Sequence, residues 1–308
     1  MPQRPAAWRP EHAVELIAGT PPGGGQDRPA RALIKALEAK RLVGVPVMLT
    51  NIPGRGGGNA WDTLRQRAGD PHVLAINSPT IITNRLLDVS DFDHAALTPL
   101  ANLYTEYIAF VVRADSRIRT GADFMARLTA DTGSLPIAMA TARGNTNHMA
   151  LGQITQQAGG DVKALRLNVF DSARYAVADV IEGHAEVGAI TAVSALPELA
   201  AGTLRAFALS APARMSGQFA SVPTWVEQGV NCVIGTWRGV IGAQGLTAEQ
   251  IAFWDGALAA ATQSEEWNAE LAHHYWANTY RGSVASGEFL ARERGALETA
   301  LKNIGLAG

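Results

Sequence analysis

Apolar residues in this chain fall into short runs separated by stretches of helical spacing. Residues 14–18 (VELIA) form a first apolar run, followed by glycine and proline. Residues 28–40 then carry apolar side chains at Ala30, Leu33, Ile34 and Leu37, the spacing of an amphipathic helix. The unit predicted is strand, glycine-rich turn, helix. Residues 46–50 (PVMLT) predict a second strand, ended by Asn51-Ile52-Pro53-Gly54 and a glycine cluster, with a helix over 60–67 after it. A third strand is predicted at 73–76. Further strands are predicted at 95–104, 108–113, 137–140, 164–168, 187–190, 205–210 and 232–237. Helices, for example at 148–157 and 173–182, separate most of them. From residue 248 on, the pattern is helical with one interruption near 283–287. Strands alternating with helices predict an α/β fold with a largely parallel sheet. There is no internal repeat and no low-complexity segment.

Composition narrows the function classes. The 26 Lys+Arg and 28 Asp+Glu leave a net charge of −2, which excludes the basic balance of a nucleic-acid binder. With 47% hydrophobic and 18% charged residues, the 308-residue chain has the make-up of a folded, core-rich protein of two domains or one large one. No apolar run approaches the roughly 20 residues of a membrane span, so no membrane insertion is expected. Residues 1–10 lack the apolar core of a secretory leader. If Met1 is the native start, the expected location is cytoplasmic. The single cysteine, Cys232, excludes an internal disulfide and a cysteine zinc cluster. It lies in the apolar stretch 230–234 and is expected to be a buried, inert thiol in a strand. His273-His274 are adjacent on a helical segment and point apart, so no metal site is expected there, and no cofactor is expected.

Two glycine clusters carry the candidate chemistry. Thr20-Pro21-Pro22-Gly23-Gly24-Gly25-Gln26-Asp27 stands between a strand and a helix start. There glycine permits close backbone approach and free N–H groups attract anions. It lacks the Gly-Lys-Ser/Thr of a P-loop and the spacing of a dinucleotide fingerprint. Asn51-Ile52-Pro53-Gly54-Arg55-Gly56-Gly57-Gly58-Asn59 again separates a strand from a helix, and reads either as a second set of amides on the same cleft or as a flexible loop.

Further motifs join these. Pro-Pro-Gly-Gly-Gly-x-Asp-x-x-Ala-Arg at 21–31 and Asn51-x-Pro53-Gly54-x-Gly56-Gly57 are followed by Gly144-Asn145-Thr146-Asn147-His148 and Leu204-Arg205-Ala206. Then come Val222-Pro223-Thr224, Glu227-x-Gly229 and Thr236-Trp237-x-Gly239. In this order they resemble the Bug, or tripartite tricarboxylate receptor, family of solute-binding proteins over nearly the whole chain. The resemblance implies a two-lobed periplasmic-binding-protein-like fold of type II, with a ligand cleft between the lobes. It places lobe one at 1–112 and 237–308 and lobe two at 113–236. It implies a periplasmic location, a small carboxylate ligand and membrane transporter subunits as partners. The expected contacts are Pro22, Gly23, Gly24, Gly25, Gln26, Asp27, Gly56, Gly57, Gly58, Asn59, Ser78 and Trp237 from lobe one and the strand re-entering it. From lobe two they are Arg143, Asn145, Thr146 and Asp171.

The chain also departs from that family. Val169-Phe170-Asp171-Ser172 stands where Pro-Tyr-Lys-Gly is usual, and Gly69-Asp70-Pro71-His72 where Pro-Asp-Gly-Tyr is usual. Arg143 replaces a small or amide residue, and Arg238 an apolar one. These charges support a second expectation: a cytosolic enzyme on the same fold, hydrolysing or eliminating from a small carboxylate. Asp171 and His148 would activate water there, and Arg143 would clamp the substrate.

Overall fold

The structure, a computed structural model, describes residues 8–306; the matter of a leader, which turns on residues 1–10, falls mostly outside them. The chain runs β1 (Val14–Ala18), α1 (Asp27–Ala39), β2 (Val47–Asn51), α2 (Gly58–Arg65), β3 (Val73–Asn77), α3 (Thr80–Leu86) and β4 (Thr98–Arg113). It continues α4 (Gly121–Asp131), β5 (Ile137–Ala140), α5 (Thr146–Gln157), β6 (Leu167–Phe170), α6 (Ala173–Ile181), β7 (Val187–Thr191), α7 (Ala192–Ala201) and β8 (Leu204–Leu209). It ends β9 (Gly235–Gly242), α8 (Ala248–Thr262), α9 (Glu265–His274), β10 (Ala277–Arg281) and α10 (Ser283–Asn303).

The sheet is mixed rather than largely parallel. β1 lies parallel between β2 and β3, and β5 lies parallel between β6 and β7. The centre is antiparallel, because β4 is a 16-residue strand that serves both lobes. From Thr98 to Tyr107 it pairs with β9, and from Ile108 onward with β7 and β8. It replaces the two strands expected at 95–104 and 108–113. Its break in apolar character, Thr105-Glu106-Tyr107, is where the strand changes partners.

Two further expectations are corrected. The strand expected at 232–237 begins at Gly235 and runs to Gly242; Cys232 is buried beside it in irregular chain. The interruption of the C-terminal helices is β10, which pairs with β4, and residues 283–287 open α10. Its sequence, ANTYR, offers no apolar alternation because it lies on the sheet edge and is only half buried.

Helices cover both faces of each half of the sheet, so the strands read as continuous apolar runs. Successive residues of β1 serve opposite cores: Leu16 packs with Leu33, Trp254 and Trp267, and Ile17 with Trp61, Ile82 and Leu297. Around β5, β6 and β7, Phe110 meets Trp225 edge-on with ring centres 5.1 Å apart, and Val111 on the other face packs with Val180 and Ile190. The C-terminal end of α10 reaches α5, where Gly152 leaves room for Ile304; a Cβ there would lie 2.6 Å from its side chain.

Candidate functional site

Chain polarity places one cavity at the carboxyl ends of β1, β2, β3, β5, β6 and β7, the usual ligand crevice of open α/β sheets. It encloses about 730 Å³ of space between atoms, its open mouth included. Lobe one supplies Thr20, the turn 23–26, Arg28, Gly56 and Ser78–Pro79–Thr80. Lobe two supplies Asn145, Thr146, Asn147, Asp171, Ser172, Thr191 and Ser194, while Thr236 and Arg238 come from β9.

Four helices of nine or more residues, α1, α5, α6 and α7, therefore begin at this cavity. Each helix start carries N–H groups without intrahelical acceptors and the positive end of a dipole. Local hydrogen bonds use some of these donors and leave others. Around α1, Thr20 Oγ1 accepts the N–H groups of Gln26 and Asp27, both at 3.2 Å. Gly23 N–H donates to Asp27 Oδ2 at 2.8 Å and Gly24 N–H to the Pro21 carbonyl at 2.9 Å. Gly25 N–H has no acceptor among the described residues. At α5, Asn145 Oδ1 accepts from His148 N–H at 3.1 Å, and the N–H groups of Thr146 and Asn147 have no acceptor among the described residues. Asn147 Nδ2 donates to the carbonyls of Ala140 (2.8 Å) and Ala189 (2.9 Å), which ties the ends of β5 and β7 into one floor.

Among the described residues, two further contacts lie at the cavity, the first of them between the lobes. Arg28 Nη1 donates to Ser194 Oγ at 3.4 Å, and the hydroxyls of Thr146 and Thr236 are hydrogen-bonded.

The cavity brings together Gly23, Gly24, Gly25, Gln26, Gly56, Ser78, Asn145, Thr146 and Asp171 of the expected contacts. The others lie elsewhere. Pro22 is exposed and outside the lining. Asp27 is fully buried beneath the turn, where its carboxylate takes Gly23 N–H, Arg31 and Asn51. Burial alone would raise this carboxyl, but the Arg31 guanidinium, the Gly23 amide and the Asn51 amide hold it below its ordinary value. Gly57 packs against Gln26 and Trp61. Gly58 opens α2 near Arg55, and Asn59 bonds Arg55 and the Pro53 carbonyl. Trp237 is buried on the far face of β9, where its Nε1–H donates to Glu293 Oε1 at 3.2 Å and its ring meets Phe289. Strand alternation explains this: Thr236 and Arg238 face the cavity and Trp237 between them faces α10.

Asp171, His148 and Arg143 are not assembled. Asp171 borders the cavity, Arg143 is exposed outside its lining, and His148 is 2% exposed with Nδ1 accepting Gly144 N–H at 3.0 Å. The cations at the cavity are Arg28 and Arg238, neither of which the glycine-turn motif marks as a contact. The signal for Arg238 was its departure from an apolar residue next to Trp237. Cys232 is fully buried, which pushes its thiol up to about 12. No group of three or more His, Cys, Asp or Glu side chains is placed to hold a metal among the described residues.

Burial, with Arg143 adding to it, pushes His148 down to about 4. The folded protein therefore holds it neutral while the unfolded chain protonates near its ordinary value of 6.5. Stability from this group is complete above pH 6.5 and is lost as pH falls toward 4, by about 2–3 kcal/mol at pH 4.5. Urea unfolding at pH 7 and 4.5 should show this loss, and His148→Asn, which keeps an acceptor for Gly144 N–H, should shrink it. An equal loss in the variant would reject the assignment.

The comparisons with known proteins agree with this geometry. A curated relative from Cupriavidus necator, the UPF0065 protein in gbd 5'region, is 25% identical over 299 residues, covering 97% of this chain and 89% of its own length. An R. palustris protein solved with adipate superposes with a TM-score of 0.88 at 21% identity, covering 97% of this chain and 99% of that one. The periplasmic binding protein BugD superposes with a TM-score of 0.85 at 15% identity, with 97% and 99% covered. Both structures share the two-lobed fold. The family described as the tripartite tricarboxylate transporter family receptor (TctC) matches residues 30–299, and the chain belongs to that family.

Proposed function

We propose that this chain binds a small organic carboxylate in the cavity between its lobes and presents it, in the periplasm, to the membrane subunits of a tripartite tricarboxylate-type transporter. The observation that carries the ligand class is the convergence of the α1, α5, α6 and α7 starts, with Arg28 and Arg238, on one cavity. Free amides and helix dipoles from both lobes favour an anion small enough to touch both walls. The adipate in the R. palustris relative is of the same class. Receptor, partner and location rest on the family, and no helix among the described residues is long and apolar enough to cross a membrane.

The contacts in this proposal are the Gly25 amide, Ser78, Asn145, Thr146, Asp171 and Ser172, together with the two arginines. The division into lobes near 112/113 and 236/237 is part of it. The change of partners along β4 supports a passage between lobes within that strand, between Tyr107 and Ile108. Thermal shift against straight-chain mono- and dicarboxylates of two to six carbons, each with its primary amide, tests the ligand class. An acid at 100 times its Kd should add about 2.7 kcal/mol of stability. Stabilisation by the amides and by none of the acids would refute the proposal.

A further inference from the structure

We propose that Arg238, with Arg28 on the same wall, binds the ligand's carboxylate directly, so that two guanidinium groups as well as the helix amides set the requirement for negative charge. This rests on the reading of the cavity as a carboxylate site and assigns the residues that select for the anion.

Arg238 is anchored at two of its three nitrogens. Nε donates to the Gly25 carbonyl at 2.9 Å, and Nη2 to Glu106 Oε1 at 2.7 Å. Its side chain is 9% exposed and that of Glu106 5%. Nη1 makes no hydrogen bond among the described residues, and the side chain borders the cavity. Nη1 is not sealed from solvent, so its two donors face the cavity, where a carboxylate can accept them in place of water.

The ion pair itself explains little as a source of stability. Desolvating two charges offsets most of their attraction, and apolar side chains of similar volume serve a core as well or better. Tyr104 and Ile108, two residues before and after Glu106 on β4, are both fully buried. What Glu106 does accomplish is to hold Arg238 extended against the glycine turn. A Cβ on Gly25 would lie 2.7 Å from Arg238 Nη2, so the turn admits the guanidinium because position 25 has no side chain.

Arg28 completes the wall. It has no carboxylate within ion-pair distance among the described residues, and its one side-chain partner there is Ser194 Oγ. The acidic residue of the lining, Asp171, is exposed and pairs with neither arginine. Positive charge on the lobe-one wall is therefore left for a ligand to neutralise.

The test uses the full chain and the same set of acids and amides. In Glu106→Gln/Arg238→Met, which removes both charges together, affinity for the best acid should fall about 10- to 100-fold. Affinity for its amide should stay within threefold. Arg28→Met should lower acid affinity in the same sense. If the double variant shows no cooperative melt, Arg238→Lys decides, since it keeps a charge opposite Glu106 but loses the planar fork. It should bind the acid at least fivefold more weakly. Acid affinity within threefold of the wild type in the folded variants overturns this inference and leaves carboxylate binding standing. A wild type that takes none of the acids overturns both.

Discussion

Replacing Asp27 by alanine should lower the stability of the protein by about 2–4 kcal/mol, the cost of leaving two buried donors without their acceptor. Asp27 is fully buried, and its two oxygens accept from Gly23 N–H (2.8 Å), Arg31 Nε (2.8 Å), Arg31 Nη2 (3.1 Å) and Asn51 Nδ2 (2.9 Å). Alanine leaves the Gly23 and Asn51 donors without an acceptor beneath the first glycine turn. Arg31 is mostly exposed and can turn to water, so the loss comes chiefly from the two inner donors and the slack turn. Because the native carboxyl is held below its ordinary value, this contribution is present above about pH 4 and is lost as pH falls through the native value. Urea unfolding should therefore show the largest difference between wild type and Asp27→Ala near neutral pH and a smaller one at acid pH. A loss below 1 kcal/mol at pH 7 would contradict this account of the turn.

Gly57→Val should cost about 2–5 kcal/mol, although Gly57 touches no ligand in this account. Its φ is 108°, outside the range that a side-chain-bearing residue adopts without strain. A Cβ there would lie 2.6 Å from Gln26 Nε2 and 2.8–2.9 Å from the Trp61 ring. Trp61 is buried and pinned by its Nε1–H to the Ile76 carbonyl at 2.9 Å, so it cannot give way. Strain and overpacking then add. Gln26 in turn accepts Gly19 N–H at 2.8 Å and helps hold the end of β1, so the damage should spread to the first glycine turn. A melt within 2 °C of the wild type would show that the two turns do not pack as described.

These two residues show what could be read in advance. The glycines at 23–25 and 54–58 announced close backbone approach, and that is what they provide. The pattern does not say what approaches. Gly25 makes room for Arg238, whereas Gly57 makes room for Gln26 and Trp61, and both look alike in the chain. The strand-turn-helix order placed the cavity, because helix starts after parallel strands must gather at the strands' carboxyl ends. It did not place Trp237 and Arg238, since a two-residue periodicity decides which of two neighbours faces the site. That phase depends on where β9 begins, at Gly235 rather than 232. Glu106 reads as a break in an apolar run because its partner lies 132 residues away. Only the paired strands β4 and β9 bring the two charges together, so a polar gap in the sequence becomes a continuous strand in the fold. Arg143 lies outside the cavity lining for the converse reason: a cation in the right loop is exposed there, and the loop's inward positions belong to Asn145, Thr146 and Asn147.

In the proposed reading, one small anion is held by helix starts from both lobes at once. Backbone amide shifts in ¹⁵N-labelled protein, titrated with the acid that stabilises it most, test this directly. The amides of Gly25 in lobe one and of Thr146, Asn147 and Ala173 in lobe two should move together, with one shared midpoint. Shifts confined to one lobe, or separate midpoints for the two walls, would contradict it.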